Sequence, residues 1–259
     1  VRLGLIEILI IVALFVLLFG GRHLPTLGKT AGQRARRPFW QFRWMWTTLT
    51  GDEADIVRAE REYGRECARA MRAECPPPQH RESTELLESI GARLAAAAPS
   101  NYKFSFSAIG GRVENAFALP GGFIFVTESL IRLCGGDRDE IAFILGHEMA
   151  HVIHGDSRDR LMADALLGPV AARLPKGGRL LQEALSSGYS REQELAADRK
   201  GVELARGAGF DPSAAIVALR RLAKISGESG VLDSYFATHP PVEARIAALE
   251  RMLAGRQLS

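Results

Sequence analysis

Cysteine is scarce in this chain of 259 residues: there are three, Cys67, Cys75 and Cys134, at unrelated spacings. An odd number so placed argues against a disulfide framework and a thiolate zinc site, and suits a reducing compartment. Cys67 falls in a helical pattern and Cys134 follows an apolar one, so both read as buried, inert thiols. Aromatic residues make up only 7% of the chain, and all three tryptophans, Trp40, Trp44 and Trp46, fall in one short stretch. No internal repeat or low-complexity tract is present. Nor does the body of the chain carry a positive excess. The formal charge of +3 originates in residues 1–50, where seven basic residues (Arg2, Arg22, Lys29, Arg34, Arg36, Arg37 and Arg43) face one acid, Glu7. The remainder is mildly acidic and offers no basic stripe interleaved with aromatics, so nucleic acid is not expected as a partner.

One uninterrupted apolar run stands out, ILIIVALFVLLF at residues 8–19, extended upstream by Leu3, Leu5 and Ile6 around Glu7. Seventeen residues of helix rise about 26 Å, just short of a hydrocarbon core, and the run reads as a short transmembrane helix. A cleaved signal peptide fits less well, because Gly20-Gly21-Arg22-His23 lacks a small-x-small site and the basic residues follow the run. Next, Leu24, Leu27, Ala31, Ala35, Phe39 and Phe42 recur at three- and four-residue steps among arginines. With tryptophan beside them, this is the pattern of an amphipathic helix at a lipid headgroup surface. A linker that docks its aromatics on the following domain is the alternative. The expected organisation is a transmembrane helix at 1–21, an interfacial segment at 22–50 and a catalytic domain at 51–259. Six of the seven basic residues follow the span, which puts that domain on the cytoplasmic side.

The chemistry is concentrated at His147-Glu148-Met149-Ala150-His151, an HExxH pattern. Positions i and i+4 share one side of a helix, so both imidazoles can reach one metal, and Glu148 beside them can take a proton from water there. The helix is expected because Asp137 or Asp139 can cap its start and Gly155 marks its end. Between them Ile141, Ala142, Ile144, Leu145, Met149, Val152 and Ile153 form a broad apolar surface. His154 reads as a cleft-wall histidine more readily than as a ligand. A catalytic zinc site wants a third protein ligand. It is sought in SREQELAADRKG, residues 190–201, where Glu194 and Asp198 lie one helical turn apart. One can ligate while the other holds the outer nitrogen of a ligand histidine; Glu192 competes for the first role, and a solvated charge cluster is the bland alternative.

Around these motifs the pattern predicts helices over 50–75 and 84–98, the first stopped by Pro76-Pro77-Pro78 and the second opened by Ser83 or Thr84. A strand is expected over 102–109. Two more are expected at 115–119 and 123–127 about the turn Pro120-Gly121-Gly122, with an exposed edge, and a short helix at 128–134. Residues 158–189, broken by Pro169, Pro175 and Gly177-Gly178, read as either a mobile lid or a fixed loop.

Two resemblances add to this. HEMAHVIHGD, SREQELAADRKG and NAFALPGGFIFVT resemble motifs of the M48 family of zinc peptidases, which includes the HtpX and BepA types, over roughly residues 52–254. The resemblance implies an α+β, mainly helical zincin-type metallopeptidase domain with a small β-sheet. It also implies one Zn2+ per chain on His147, His151 and Glu194, with Asp198 as the supporting acid and Glu148 as general base, then acid. His239-Pro240, followed by Arg245, matches the family's later His-Pro and Arg. His239 is then expected near the metal, as a ligand, a gate or a donor to the tetrahedral intermediate, and His239 or Arg245 as a donor to the oxyanion. The metzincin variant is excluded, since His154 and Ser157 stand where it needs glycine and a third histidine. Separately, GLIEILIIVALFVLLFGGRHLPTLGKTAG resembles the N-terminal region of the TatA/TatB components of twin-arginine translocase over residues 3–36. Phe19-Gly20 matches its hinge, and the family's orientation again implies an inner-membrane, single-pass protein with its domain in the cytoplasm.

The resulting expectation is a membrane-anchored metalloendopeptidase acting on unfolded or misassembled polypeptides. Its expected partners are those substrates, the lipid bilayer and, through the TatA-like segment, further copies of itself. Two rivals are a membrane-associated chaperone or adaptor on a peptidase fold, and a TatA-like oligomeric transport scaffold. The intact Glu148 argues against the first.

Overall fold

A computed structural model describes residues 44, 46–48, 50–99, 101–111, 113–160, 188–229, 239 and 242–255. Its elements run α1 (Glu53–Glu74), α2 (Arg81–Ala97), β1 (Ser105–Ile109), β2 (Ala116–Leu119), β3 (Phe123–Thr127), α3 (Glu128–Leu133), α4 (Arg138–Ile153), α5 (Arg191–Gly207), α6 (Ala214–Ser229) and α7 (Val242–Gly255). The chain is mainly helical around one small sheet. Among the described residues no helix is long and apolar enough to cross a membrane. The expected span at 1–21 lies outside them, as do most of 22–50 and residues 161–187 of the candidate lid.

The sheet has the order β1-β3-β2. β2 and β3 form the antiparallel hairpin expected from Pro120-Gly121-Gly122, with Ala116 opposite Val126 and Leu119 opposite Phe123. Gly121 and Gly122 have φ of +72° and +81°, a left-handed pair that a residue with a Cβ resists. The strand expected over 102–109 begins only at Ser105 and pairs in parallel with β3, Ser105 opposite Phe123. Short-range pattern cannot reveal that pairing, because it joins segments with another strand, β2, between them in the chain.

Side-chain alternation then divides the sheet between two layers. Phe106, Ala108, Ile124 and Val126 enter the main core with α2, α4, α5 and α6. Phe117, Leu119, Phe123 and Phe125 turn the other way, onto Ala68 and Met71 of α1. Trp44 is buried and stacks on Tyr63 of α1, with ring centroids 4.7 Å apart. That tryptophan therefore has the docked environment, the alternative to a headgroup position.

Helix α2 begins at Arg81, earlier than Ser83 or Thr84. Its N-cap residue, His80, contributes no side-chain cap. Instead the carboxylate of Glu128, at the start of α3, accepts hydrogen bonds from the backbone N–H groups of Gln79 and His80, both at 2.8 Å, and from Ser83 Oγ at 3.1 Å. A remote anion thus meets the positive end of α2. Burial alone raises the Glu128 pKa, but these hydrogen bonds outweigh it and lower it. A carboxyl with a depressed folded-state pKa contributes stability above its unfolded value, and that contribution is lost as pH falls through the folded value. Glu128→Gln is accordingly expected to cost about 1–2 kcal/mol at neutral pH. In urea unfolding, the gap from wild type should close on acidification. A gap that stays constant down to about pH 3 refutes the charge-based account.

Candidate metal centre

Helix α4 starts where Asp137 accepts from the N–H groups of Asp139 and Glu140, and every residue from Glu140 to Val152 is buried. It packs most closely on α5. Gly146 and Gly201 face each other there, and a Cβ on Gly146 would stand 2.8 Å from the Gly201 carbonyl oxygen, one on Gly201 2.8 Å from the His147 nitrogen. The two backbones can approach this closely only because both side chains are missing. That contact brings the HExxH turn beside the carboxylates of α5. Helix α5 starts with a capping box, Ser190 with Gln193. Its buried face carries Glu194, Ala197, Asp198 and Gly201 at helical spacing, so both acids point inward. Glu192 is exposed, and so is His154, the C-cap of α4.

Four side chains converge. Ligand-type atoms of His147, His151, Glu194 and His239 all lie within 4.8 Å of one another, and all four residues are buried. His147 Nε2 is 3.1 Å from His151 Nε2 and 3.7 Å from Glu194 Oε2, and His151 Nε2 is 3.4 Å from Glu194 Oε1. His239 Nδ1 is 3.4 Å from His147 Nε2 and 2.8 Å from Glu194 Oε1. Tetrahedral ligands about 2.0–2.1 Å from zinc stand roughly 3.3 Å apart, close to these separations.

The outer nitrogens explain why the inner ones are available. Asp198 lies 2.9 Å from His147 Nδ1 and Asp156 2.8 Å from His151 Nδ1, so each Nδ1 carries the proton and each Nε2 presents a lone pair. Two lone pairs facing at 3.1 Å repel one another unless a cation or a proton lies between them. The donor set therefore fits a divalent metal. Burial disfavours a charge on His151, yet its bonds to Asp156 and Glu194 raise its pKa to about 9, so protons compete with a metal for that site. Burial lowers His147.

Arg245 is buried at the base of the cluster. It donates to Asp198 through Nε and Nη2, each at 2.7 Å, and its Nη1 is 2.6 Å from Glu194 Oε2. Burial would raise both carboxyls; the charge of Arg245 helps hold Asp198 down at about 2 and, with His239, keeps Glu194 well below the usual range. All of the predicted site residues are thus assembled in one place, but Arg245 is engaged by two carboxylates beneath the ligands. Glu148, buried like the other acids of the cluster, differs from them in that neither carboxylate oxygen has a hydrogen-bond partner among the described residues. Burial raises its pKa, as a proton acceptor working near neutrality requires.

Sequence reasoning missed Asp156, which was visible only as part of the turn ending α4. A Gly-Asp pair within five residues of a ligand histidine was the available signal. It also missed Tyr189, whose ring stacks on His151 with centroids 3.8 Å apart and planes inclined by 13°; nothing local marks that residue.

Comparison with known proteins agrees with this site. Residues 81–253 match the model of peptidase family M48, and residues 2–40 match that of the mttA/Hcf106 family. The mitochondrial metalloendopeptidase OMA1 of Schizosaccharomyces pombe is 30% identical over 190 residues, 70% of this chain and 56% of that protein. A protease HtpX homolog of Salinibacter ruber is 31% identical over 183 residues, 55% of this chain and 65% of its own length. The beta-barrel assembly-enhancing protease of Escherichia coli K12 is 27% identical over 211 residues, 74% of this chain and 43% of that protein. The chain thus spans about half the length of the curated relatives it matches. With its family model covering most of the chain and both ligand helices, the protein belongs to peptidase family M48.

Proposed function

We propose that the chain is a zinc-dependent metalloendopeptidase. The observation that carries this reading is the buried convergence of His147, His151 and Glu194 beside a carboxylate, Glu148, that has no hydrogen-bond partner among the described residues. A zinc ion held by His147, His151 and Glu194 would supply Lewis acidity and would lower the pKa of a water toward neutrality. Glu148 accepts the proton of the attacking water and returns it to the leaving amine. Asp198 and Asp156 hold the two imidazoles in the required tautomer, and Arg245 neutralises Asp198 and Glu194 so that both stay ionised. For Arg245, this positioning role accounts for its contacts better than donation to an oxyanion. Among the described residues strand β2, whose side chains are buried, has a sheet partner on one side only, and an extended polypeptide pairing with its other edge through backbone groups would be recognised with little regard to side chains. Unfolded or misassembled polypeptides are the substrate class this favours.

His239, the fourth residue of the convergent set, lies 3.6 Å from Glu148 through Nε2. We assign it the role of a gate that must withdraw before water and substrate enter. His239→Ala is then expected to retain zinc less firmly but to turn over a short quenched peptide several-fold faster. A fall in turnover would instead make it a donor to the tetrahedral intermediate. The mttA/Hcf106 match and the apolar run at 8–19 support anchoring in the inner membrane with the domain in the cytoplasm. Cysteine labelling of intact cells tests this, and an outward-facing domain overturns it. Casein hydrolysis with and without a chelator tests the peptidase reading, and activity indifferent to the chelator would end it.

A further inference from the structure

The N-terminus of α5 does more than start a helix. Residues 190–193 form a capping box in which Ser190 Oγ accepts from the Gln193 N–H at 3.2 Å, and Gln193 Oε1 accepts from the Ser190 N–H at 2.8 Å. Because the Ser190 N–H can only donate, the amide oxygen of Gln193 must face it, and the orientation of the amide follows. Its Nε2 then points the other way and donates to Asp156 Oδ1 at 2.8 Å. The second oxygen of Asp156 accepts from His151 Nδ1 at 2.8 Å. Asp156 is buried and Gln193 half-buried, so the contacts pass from an exposed capping box, through a partly buried Gln193–Asp156 bond, to a buried Asp156–His151 bond.

Capping boxes ordinarily accept either glutamate or glutamine at this place. Here only glutamine serves both neighbours. A glutamate would keep the bond to the Ser190 N–H but set a carboxylate against Asp156. We propose that Gln193 is a positioning residue of the metal centre: its amide nitrogen holds Asp156, and Asp156 holds His151 with Nε2 directed at the metal. The inference rests on the metal-centre reading above and extends it to a residue that touches neither metal nor substrate. It also ties the second ligand of α4 to the first turn of α5, whose next residue, Glu194, is the third ligand. One turn of helix thereby supplies one ligand and orients another.

Gln193→Glu separates the two duties. Zinc affinity is measured by competition with a chromophoric chelator, and thermal melting of the metal-free protein is followed in parallel. Melting should stay within a few degrees of wild type, because the capping box survives. Zinc affinity should fall about 10–100-fold, the usual consequence of disturbing a partner of a ligand. Adding Asp156→Asn to Gln193→Glu supplies the reciprocal arrangement. The amide introduced at position 156 accepts from His151 through its oxygen, and its nitrogen donates to the carboxylate introduced at position 193. This double variant should recover most of the lost affinity, although Asp156→Asn alone sets two donors face to face and should bind zinc weakly. Wild-type affinity in Gln193→Glu, or a double variant no better than the single one, overturns the proposal. Failure of the wild-type protein itself to compete for zinc would instead bring down the metal-centre reading.

Discussion

Glu148→Gln is expected to lower peptide hydrolysis by about 10²–10⁴-fold while leaving zinc bound at one ion per chain. Glutamine has the shape of glutamate but cannot take a proton from water. The substitution should spare the metal, because neither oxygen of Glu148 bonds to a ligand or to a partner of a ligand. A second result is expected with the first. Wild-type Glu148 is 1% exposed without a hydrogen-bond partner among the described residues, and burial raises its pKa, so its charged form costs stability. The metal-free variant should therefore melt at a higher temperature than wild type. Hydrolysis of a quenched peptide, zinc stoichiometry and a thermal melt together separate an enzyme from a chaperone or scaffold on the same fold. If zinc-loaded wild type and Glu148→Gln are equally inactive, the enzyme reading does not survive.

Arg245→Ala is expected to be the most destabilising change at the site, by about 3–5 kcal/mol, because it strips the permanent positive charge from two buried carboxylates at once. Arg245 is 1% exposed, as is Asp198, and Glu194 is 0% exposed. Without the guanidinium, both acids gain stability by taking up protons, and protonated Glu194 is a poor ligand. Arg245→Lys should recover little, since one ammonium cannot reproduce two parallel bonds to Asp198 and a third contact to Glu194. Saturating zinc should narrow the gap, because the cation replaces part of the lost positive charge. Chemical denaturation with and without zinc checks these expectations. A loss under about 1 kcal/mol would mean that the pairing carries little net weight.

Much of the site was legible locally because helices bring residues together by spacing alone. His147 and His151 at i and i+4 define a shared face, and Glu194 and Asp198 define another. Asp137 and Gly155 marked helix ends by chemistry that acts within a few residues. The β2–β3 hairpin followed for the same reason. Other features depended on distant partners. The early start of α2 is caused by Glu128, 47 positions after Arg81 in the chain. The parallel pairing of β1 with β3 skips a strand. The choice of Glu194 over Glu192 came from a resemblance, and its geometric basis is that Glu192 is exposed and Glu194 is not.

By itself, the sequence determined the chemistry available: two histidines, a proton acceptor beside them and a turn of helix bearing two acids. Those facts depend on residue type and helical period, which a single stretch contains in full. Tertiary structure alone decided how the parts are used. The Gly146–Gly201 approach brings the two helices into register, Arg245 is taken up by Asp198 and Glu194, Asp156 and Gln193 are turned toward His151, and His239 joins His147, His151 and Glu194. Each of these joins residues that no single element contains, and the packing that closes those distances has no signature within any one segment.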